Sequence, residues 1–327
     1  MSVQSHNVPK VSVCMIAYNH EPYISEAIQG VLSQKTDFQV ELVIGEDLST
    51  DGTRKLCEMF QQEFPDIIRL IGREKNLGMS DNFVDTVRQC RGAFVAMCEG
   101  DDYWTDPLKL QRQVDFLEAS PDYSACFHDV EVVYLNREKA SHTVIADPRD
   151  EFSFSEIVAK GALIPTCSLV FRNYTEDFDN DLILLDWVLQ LLLARRGKLK
   201  RMSGVMAVYR QHSGGWTNKN WTEKAYELLE ITKRCRAHFG PEHYEEFDRI
   251  LALDHADICF GLFQDGKIGE FCDHYKNLDG RQRLLPSRTR TALSVRYSIA
   301  RIPFVPKFYS LALNRFRELR LLRRKGL

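Results

Sequence analysis

From residue 11 the chain alternates short apolar runs with segments in which apolar residues return every three or four positions. The runs are VSVCMIA (11–17), VELVIG (40–45), IIRLIG (67–72) and FVAMC (94–98). Consecutive apolar positions suit strands covered on both faces. After the first run, Pro22 suits a first helical position, and Ile24, Ala27, Ile28, Val31 and Leu32 share one helical face. Thr50 or Asp51 predicts the cap of a second helix carrying Leu56, Met59 and Phe60 inward. Ser80 or Asp81 predicts that of a third, with Phe83, Val84 and Val87 on its buried face. Runs recurring every ~27 residues are strand–helix–strand units. The pattern predicts a Rossmann-like α/β domain, with a mostly parallel central sheet and helices on both faces.

Further along, residues 164–172 read as a strand. Val188, Leu191 and Leu192 mark a helix ending at Arg195-Arg196-Gly197, and residues 205–211 a last strand. From Trp221 the period is helical, and 241–264 with 267–277 predict a helical hairpin punctuated by Gly240-Pro241 and Asp265-Gly266. The expected division is an α/β domain over 1–220, with halves 10–135 and 136–220, followed by a helical C-terminal region over 221–327.

Hydrophobic residues at 44% and charged residues at 27% exclude wholesale disorder. A net charge of −3 gives no reason to expect nucleic-acid binding. The average hides a basic tail: residues 286–327 carry eleven Lys or Arg against the single acid Glu318, leaving −13 on the rest. Phe304, Phe308, Tyr309 and Phe316 interleave with those charges, a pattern that predicts an amphipathic segment lying on an anionic membrane surface. No apolar run reaches the roughly 18 residues of a spanning helix, and the N-terminus lacks a secretory pattern. The expectation is a cytoplasmic chain, peripheral at the inner face of the plasma membrane. Nine cysteines scattered from Cys14 to Cys272, without Cys-x-x-Cys, predict reduced thiols rather than disulfides or zinc.

Ligands of such sheets bind beyond the carboxyl ends of the strands. Ala17-Tyr18-Asn19-His20 follows the first run without a glycine, so the G-x-G-x-x-G dinucleotide fingerprint is absent. Glu46-Asp47 follows the second run and Glu99-Gly100-Asp101-Asp102 the fourth. A carboxylate at Asp47 can accept a hydrogen bond from a base N–H or a ribose hydroxyl. The acids of the fourth turn can hold a diphosphate only through a hard cation, Mg²⁺ or Mn²⁺. Asp186, at the head of the helix over 188–196, suits either a general base or an ordinary N-cap.

The succession VSVCMIAYNHEPYISEAIQGVLSQ, IGEDLSTDGT, REKNLGMSDNF and EGDDYW, followed by ILLDWVLQLLLARRGKLKRMSGVMAVYRQHSGGW, resembles the family 2 glycosyltransferases with the GT-A fold. The match covers about 10–135 and 183–216. This resemblance implies a nucleotide-diphospho-sugar donor (a UDP-sugar), a divalent metal, and inverting transfer to a hydroxyl of a glycan or lipid-linked glycan in bacterial surface-glycan assembly. It places Ala17 and Tyr18 against the base, Asp47 at the nucleoside, Glu99 and Asp101 on the D-x-D motif with Asp101 on the metal, and Asp186 as the base.

His212 then completes the metal site or donates to phosphate, and Arg210 offsets charge or braces its strand. Arg73 and Asn76 approach the donor, while Thr166, Ser168 and Trp187 border the acceptor. Glu46 and Glu99 depart from the aspartates more usual in the family. The Gln-x-x-Arg-Trp motif and membrane spans of processive synthases are absent, which implies non-processive transfer. A sugar-phosphate nucleotidyltransferase would need a Gly-rich basic loop where Tyr18-Asn19-His20-Glu21 stands. Retention of Asp101 and Asp186 argues against a non-catalytic glycan-binding scaffold.

Overall fold

Strand β1 (Val11–Ala17) sits in the middle of the parallel part of the sheet, paired with β2 (Val40–Glu46) on one side and β4 (Phe94–Met97) on the other. Both of its faces are buried, as a doubly covered strand requires. Val11, Val13 and Met15 join Leu42, Ile44 and Ala96 in one core. Ile24, Ala27, Ile28 and Val31 of α1 (Ile24–Leu32) and Leu110, Val114 and Leu117 of α4 (Lys109–Ala119) complete it. On the same edge as β2 lie β3 (Ile68–Gly72), α2 (Thr53–Glu63) and α3 (Met79–Val87).

The computed structural model describes residues 8–301 apart from 136–140, 145–148, 162–163, 179–181, 183–185, 213–220 and 279. It divides into two compact units, 1–215 and 216–327. In the first unit the remaining strands are β5 (Tyr103–Trp104), β6 (Tyr123–Tyr134), β7 (His142–Val144), β8 (Glu151–Phe152), β9 (Val170–Arg172) and β10 (Lys198–Gln211). Helices α5 (Phe154–Lys160) and α6 (Asp186–Arg196) complete it. The described strands form one sheet in the order β3-β2-β1-β4-β9-β6-β10-β5, with β7 beside β6 and β8 beside β10. Pairing is parallel from β3 to β4. It turns antiparallel at β9, and β6 with β10 is parallel again.

Three local readings change. Helix α3 begins at Met79 with Gly78 before it, so Ser80 and Asp81 lie inside its first turn. The acceptor for its entering backbone comes from outside the helix: Asp47 takes the N–H groups of Leu77 and Gly78. Residues 164–172 split into a 3-10 turn, Thr166–Ser168, and the short β9, because Ser168 folds back by backbone and hydroxyl onto the Pro165 carbonyl. The last strand starts at Lys198 rather than 205, and register shifts between Met202 and Ala207 surround Gly204, whose φ is +111°.

The second unit holds α7 (Trp221–Phe239), α8 (Tyr244–Gln264), α9 (Ile268–Lys276) and α10 (Ser287–Ala300). Its core joins Ala225 and Leu229 to Leu251, Ile258 and Leu262, and to Phe271, Leu293 and Ala300. No helix among the described residues is long and apolar enough to cross a membrane. Most of the basic tail, 302–327, lies outside the described residues.

Candidate active site

The loops after β1 and β2 are tied together before any ligand is considered. Asn19 adopts a left-handed φ of 57°, which turns its amide oxygen onto the Thr50 N–H at 2.8 Å and its own N–H onto Ser49 Oγ at 3.0 Å. The His20 N–H donates to Thr53 Oγ1 at 2.8 Å, the Glu21 N–H to Asp51 at 3.1 Å, and the Gly52 N–H to Glu21 at 2.9 Å. Ala17 is buried beneath this knot and Tyr18 stands exposed at its mouth.

Glu46 and Asp47 serve different partners. Glu46 is buried, with Arg54 at 2.9 Å and the Ser49 N–H at 2.7 Å. Asp47 is also buried, and its two oxygens take the Leu77 and Gly78 N–H groups at 2.7 and 2.9 Å. Asn76 donates to the Asp47 carbonyl at 2.8 Å, so this carboxylate and Asn76 together set the path of the loop after β3. Arg73 turns toward α3, paired with Asp85 at 2.6 Å and hydrogen-bonded to Asn82 and Thr86.

The turn after β4 brings the second group together. Asp101 Oδ2 lies 3.0 Å from His212 Nε2 and 3.7 Å from His20 Nε2. His20, Asp101 and His212 each offer one ligand atom, all within 4.8 Å of one another. Burial alone would raise the Asp101 carboxyl, but the His212 hydrogen bond and the nearby His20 hold it below the usual range. Burial lowers His20 despite Asp101. A side chain at position 100 would crowd the site: a Cβ at Gly100 would stand 2.8 Å from Ile24 Cδ1, 2.9 Å from His20 Nδ1 and 3.2 Å from Ala17 Cβ.

Glu99 points to the other side of this turn. Burial, with Asp186 and Asp101 nearby, pushes its carboxyl up to about 8, and its Oε2 has no hydrogen-bond partner. The Thr166 hydroxyl favours the ionised form of both Glu99 and Asp186 and pulls each carboxyl down against burial. Asp186 keeps solvent contact, yet protein atoms crowd it enough to raise its carboxyl, against the Thr166 hydrogen bond.

Arg210 braces the turn from behind. Its side chain, 7% exposed, pairs with Glu26, donates to the Asp101 carbonyl at 2.9 Å and lies over the Tyr103 ring at 4.2 Å. Its backbone N–H donates to Asp102 at 2.9 Å.

The structure therefore gathers Glu99, Asp101, Thr166, Asp186 and His212, with Arg210 engaged by the protein itself. Ser168 and Trp187 point elsewhere. Ser168 is buried on the Pro165 carbonyl, and the Trp187 indole donates to the Ile157 carbonyl at 3.0 Å inside the α5–α6 packing. His20 went unnoticed in the sequence pattern. The available signal was a metal-ligating side chain in the loop directly after the first strand, the place where ligands of such sheets bind.

The profile of glycosyl transferase family 2 matches residues 12–179, just over half of the chain. The chain belongs to this family. An uncharacterized protein of Mycobacterium tuberculosis is 37% identical over 216 residues, which are 65% of this chain and 62% of that protein. The chain thus spans less than two thirds of the relative's length. Among solved structures, S. aureus TarS 1-349 in complex with UDP-GlcNAc superposes with a TM-score of 0.62 at 18% identity, covering 97% of this chain and 92% of that one. A mannosyltransferase from Pyrobaculum calidifontis in complex with GDP-Man and Mn²⁺ gives 0.54 at 20% identity, covering 93% and 87%. At these identities the likeness is one of fold, and the fold is GT-A.

Proposed function

We propose that the protein transfers a sugar from a nucleotide-diphospho-sugar, a UDP-sugar, to a hydroxyl of a glycan or lipid-linked glycan, with inversion and one sugar per encounter. The observation that carries this reading is the convergence, at the carboxyl edge of the sheet, of a potential cation site at Asp101 with a carboxyl pair at Glu99 and Asp186. The family match and the UDP-GlcNAc complex of TarS support the donor class.

In this reading Tyr18, exposed at the mouth of the β1 loop, stacks on the base. Asp47 accepts from the nucleoside with the lone pairs that Leu77 and Gly78 leave free, since a carboxylate has about four acceptor positions. Arg73 and Asn76 act through that same loop. The imidazole and carboxylate donors at Asp101 and His212 fit a divalent cation, Mg²⁺ or Mn²⁺, and the Mn²⁺ complex of the mannosyltransferase supports that assignment. Such an ion supplies positive charge beside a departing diphosphate.

Asp186 removes the proton of the acceptor hydroxyl. Direct displacement inverts the anomeric carbon only if the base stands opposite the leaving group, and Asp186 projects from a different element than the D-x-D turn. Thr166 orients Asp186 through its hydroxyl, and Arg210 fixes Asp101 through the turn carbonyl.

The test incubates the full chain with a panel of UDP-, GDP- and dTDP-sugars, with Mn²⁺ or chelator, and follows nucleoside diphosphate release. Release from one nucleotide class, only with metal, and a product of inverted configuration by NMR is the expected result. Metal-independent release or a retained anomer would overturn the reading.

A further inference from the structure

We infer that His20 is a third protein ligand of the cation site, making it a two-histidine, one-aspartate site that selects a first-row transition ion over Mg²⁺ and Ca²⁺. This rests on the reading that a divalent cation sits at Asp101.

The first support is position. His20 Nε2 stands 3.7 Å from Asp101 Oδ2, too far for a hydrogen bond and close enough for both atoms to share an ion. Ligands about 2.1 Å from a common centre stand roughly 3–4 Å apart, and the His212–Asp101 separation of 3.0 Å is of the same kind. All three ligand atoms lie within 4.8 Å of one another.

The second support is the cost of the arrangement. The His20 side chain is 15% exposed and its Nδ1 is buried without a partner. A buried imidazole kept only for packing would be replaced by an apolar side chain at no polar cost.

The third support is rigidity. The His20 N–H is held by Thr53, and its neighbours Asn19 and Glu21 are tied to the loop after β2 by three and two hydrogen bonds. The glycine at 100 leaves room for the imidazole edge within 2.9 Å of where a Cβ would be. A ligand on a loop fixed before the ion arrives loses little entropy on binding.

The donor set then decides the metal. Mg²⁺ and Ca²⁺ are hard ions that favour oxygen, whereas first-row transition ions take imidazole nitrogen, Mn²⁺ the most weakly among them and the later ions more strongly. Two imidazoles against one carboxylate tip the site toward the latter.

The experiment titrates Mn²⁺ and Mg²⁺ into the full chain without nucleotide and records pulsed EPR of bound Mn²⁺. The expected spectrum shows couplings from two imidazole nitrogens, and Mn²⁺ binds at least ~10-fold more tightly than Mg²⁺. His20→Ala removes one coupling and weakens Mn²⁺ binding by ~10-fold or more, with Mg²⁺ binding within about threefold. His20→Gln keeps the volume and offers oxygen, so it lowers the Mn²⁺ preference even if the alanine variant does not fold. A single imidazole coupling in the wild type, or an unchanged Mn²⁺ to Mg²⁺ ratio in the glutamine variant, overturns the assignment of His20 alone. Absence of any Mn²⁺ bound with an imidazole coupling overturns the cation site at Asp101 as well.

Discussion

Replacing Thr166 by valine removes one hydroxyl from between two carboxyl groups while keeping the side-chain volume. That hydroxyl favours the ionised form of both Glu99 and Asp186, and with one hydrogen it can donate to only one of them at a time. Burial pushes Asp186 up and the Thr166 hydrogen bond pulls it back. A hydrogen bond to a charged group contributes about 1.5–3 kcal/mol, equal to roughly one to two pKa units. Asp186 retains solvent contact, which screens the loss, and the expected shift is upward.

A base works only when ionised, so activity is lost as pH falls through its pKa. The acid limb of kcat/KM should therefore move to higher pH in Thr166→Val. The plateau at high pH should stay within about threefold of wild type, because there the base is ionised in both proteins. Thr166→Ser keeps the donor and should restore the limb. The assay is kcat/KM against pH for all three proteins, with donor affinity measured separately. An acid limb that stays where it was in the valine variant would refute the bridging role, whatever happens to the plateau.

Three further outcomes follow from the same structure. Asp186→Asn should lower kcat by at least ~100-fold while nucleotide affinity by calorimetry stays within about twofold, and near-normal turnover would remove Asp186 as the base. Asp254, on α8 in the second unit, is pushed up to about 6 by burial, against a hydrogen bond from Thr232. Because its folded value lies above the ordinary 3.8, its stabilising protonated form is fully present below that value and lost as pH rises through 6. Asp254→Asn should therefore be more stable than wild type at pH 7 by up to about 3 kcal/mol, with the difference vanishing near pH 4 in denaturant titrations. A difference independent of pH would show that the carboxyl is not the cause. Deleting 302–327 should release the chain from anionic vesicles in co-sedimentation, whereas deleting from 286 would also remove Leu293 and Ala300 from a packed core. An undiminished bound fraction would refute the expectation, drawn from the sequence, that the basic tail binds a membrane surface.

The parallel part of the sheet, β1 to β4, was legible because its strands are short, largely apolar runs, whereas nothing in the pattern marked β5 to β8. Val11–Ala17 is apolar at six of seven positions, the exception being Ser12, and emerges as β1 with the bounds read from the sequence. Where the chain departs from such runs, the pattern misleads. Residues 164–172 look like a strand because Leu169, Val170 and Phe171 are apolar, yet Pro165 and the Ser168 hydroxyl close a turn first. The start of α3 was unreadable for a different reason: its acceptor is Asp47, about thirty residues earlier in the chain, and local cap patterns see only neighbours.

The site divides in the same way. Residue type and strand end suffice to nominate Asp101, and the family resemblance nominates Asp186 and His212. Neither tells whether a polar side chain is already spent on the protein. Arg73 and Arg210 both look like anion binders in the sequence, but Asp85 and Glu26 neutralise them: Arg73 is spent on side chains of α3, and Arg210 holds the Asp101 carbonyl in the turn. His20 is the converse case: its flanking residues are consumed by hydrogen bonds to the β2 loop, while its own ring is left turned to Asp101. An N–H on Thr53 and a ring facing a carboxylate at 3.7 Å are one design, because the first fixes where the second can go. Loosening the knot with Asn19→Ala, which takes the acceptor from the Thr50 N–H, should therefore weaken Mn²⁺ binding without touching any ligand. A variant that kept wild-type Mn²⁺ affinity would show that the His20 ring is placed by its own packing and not by the loop.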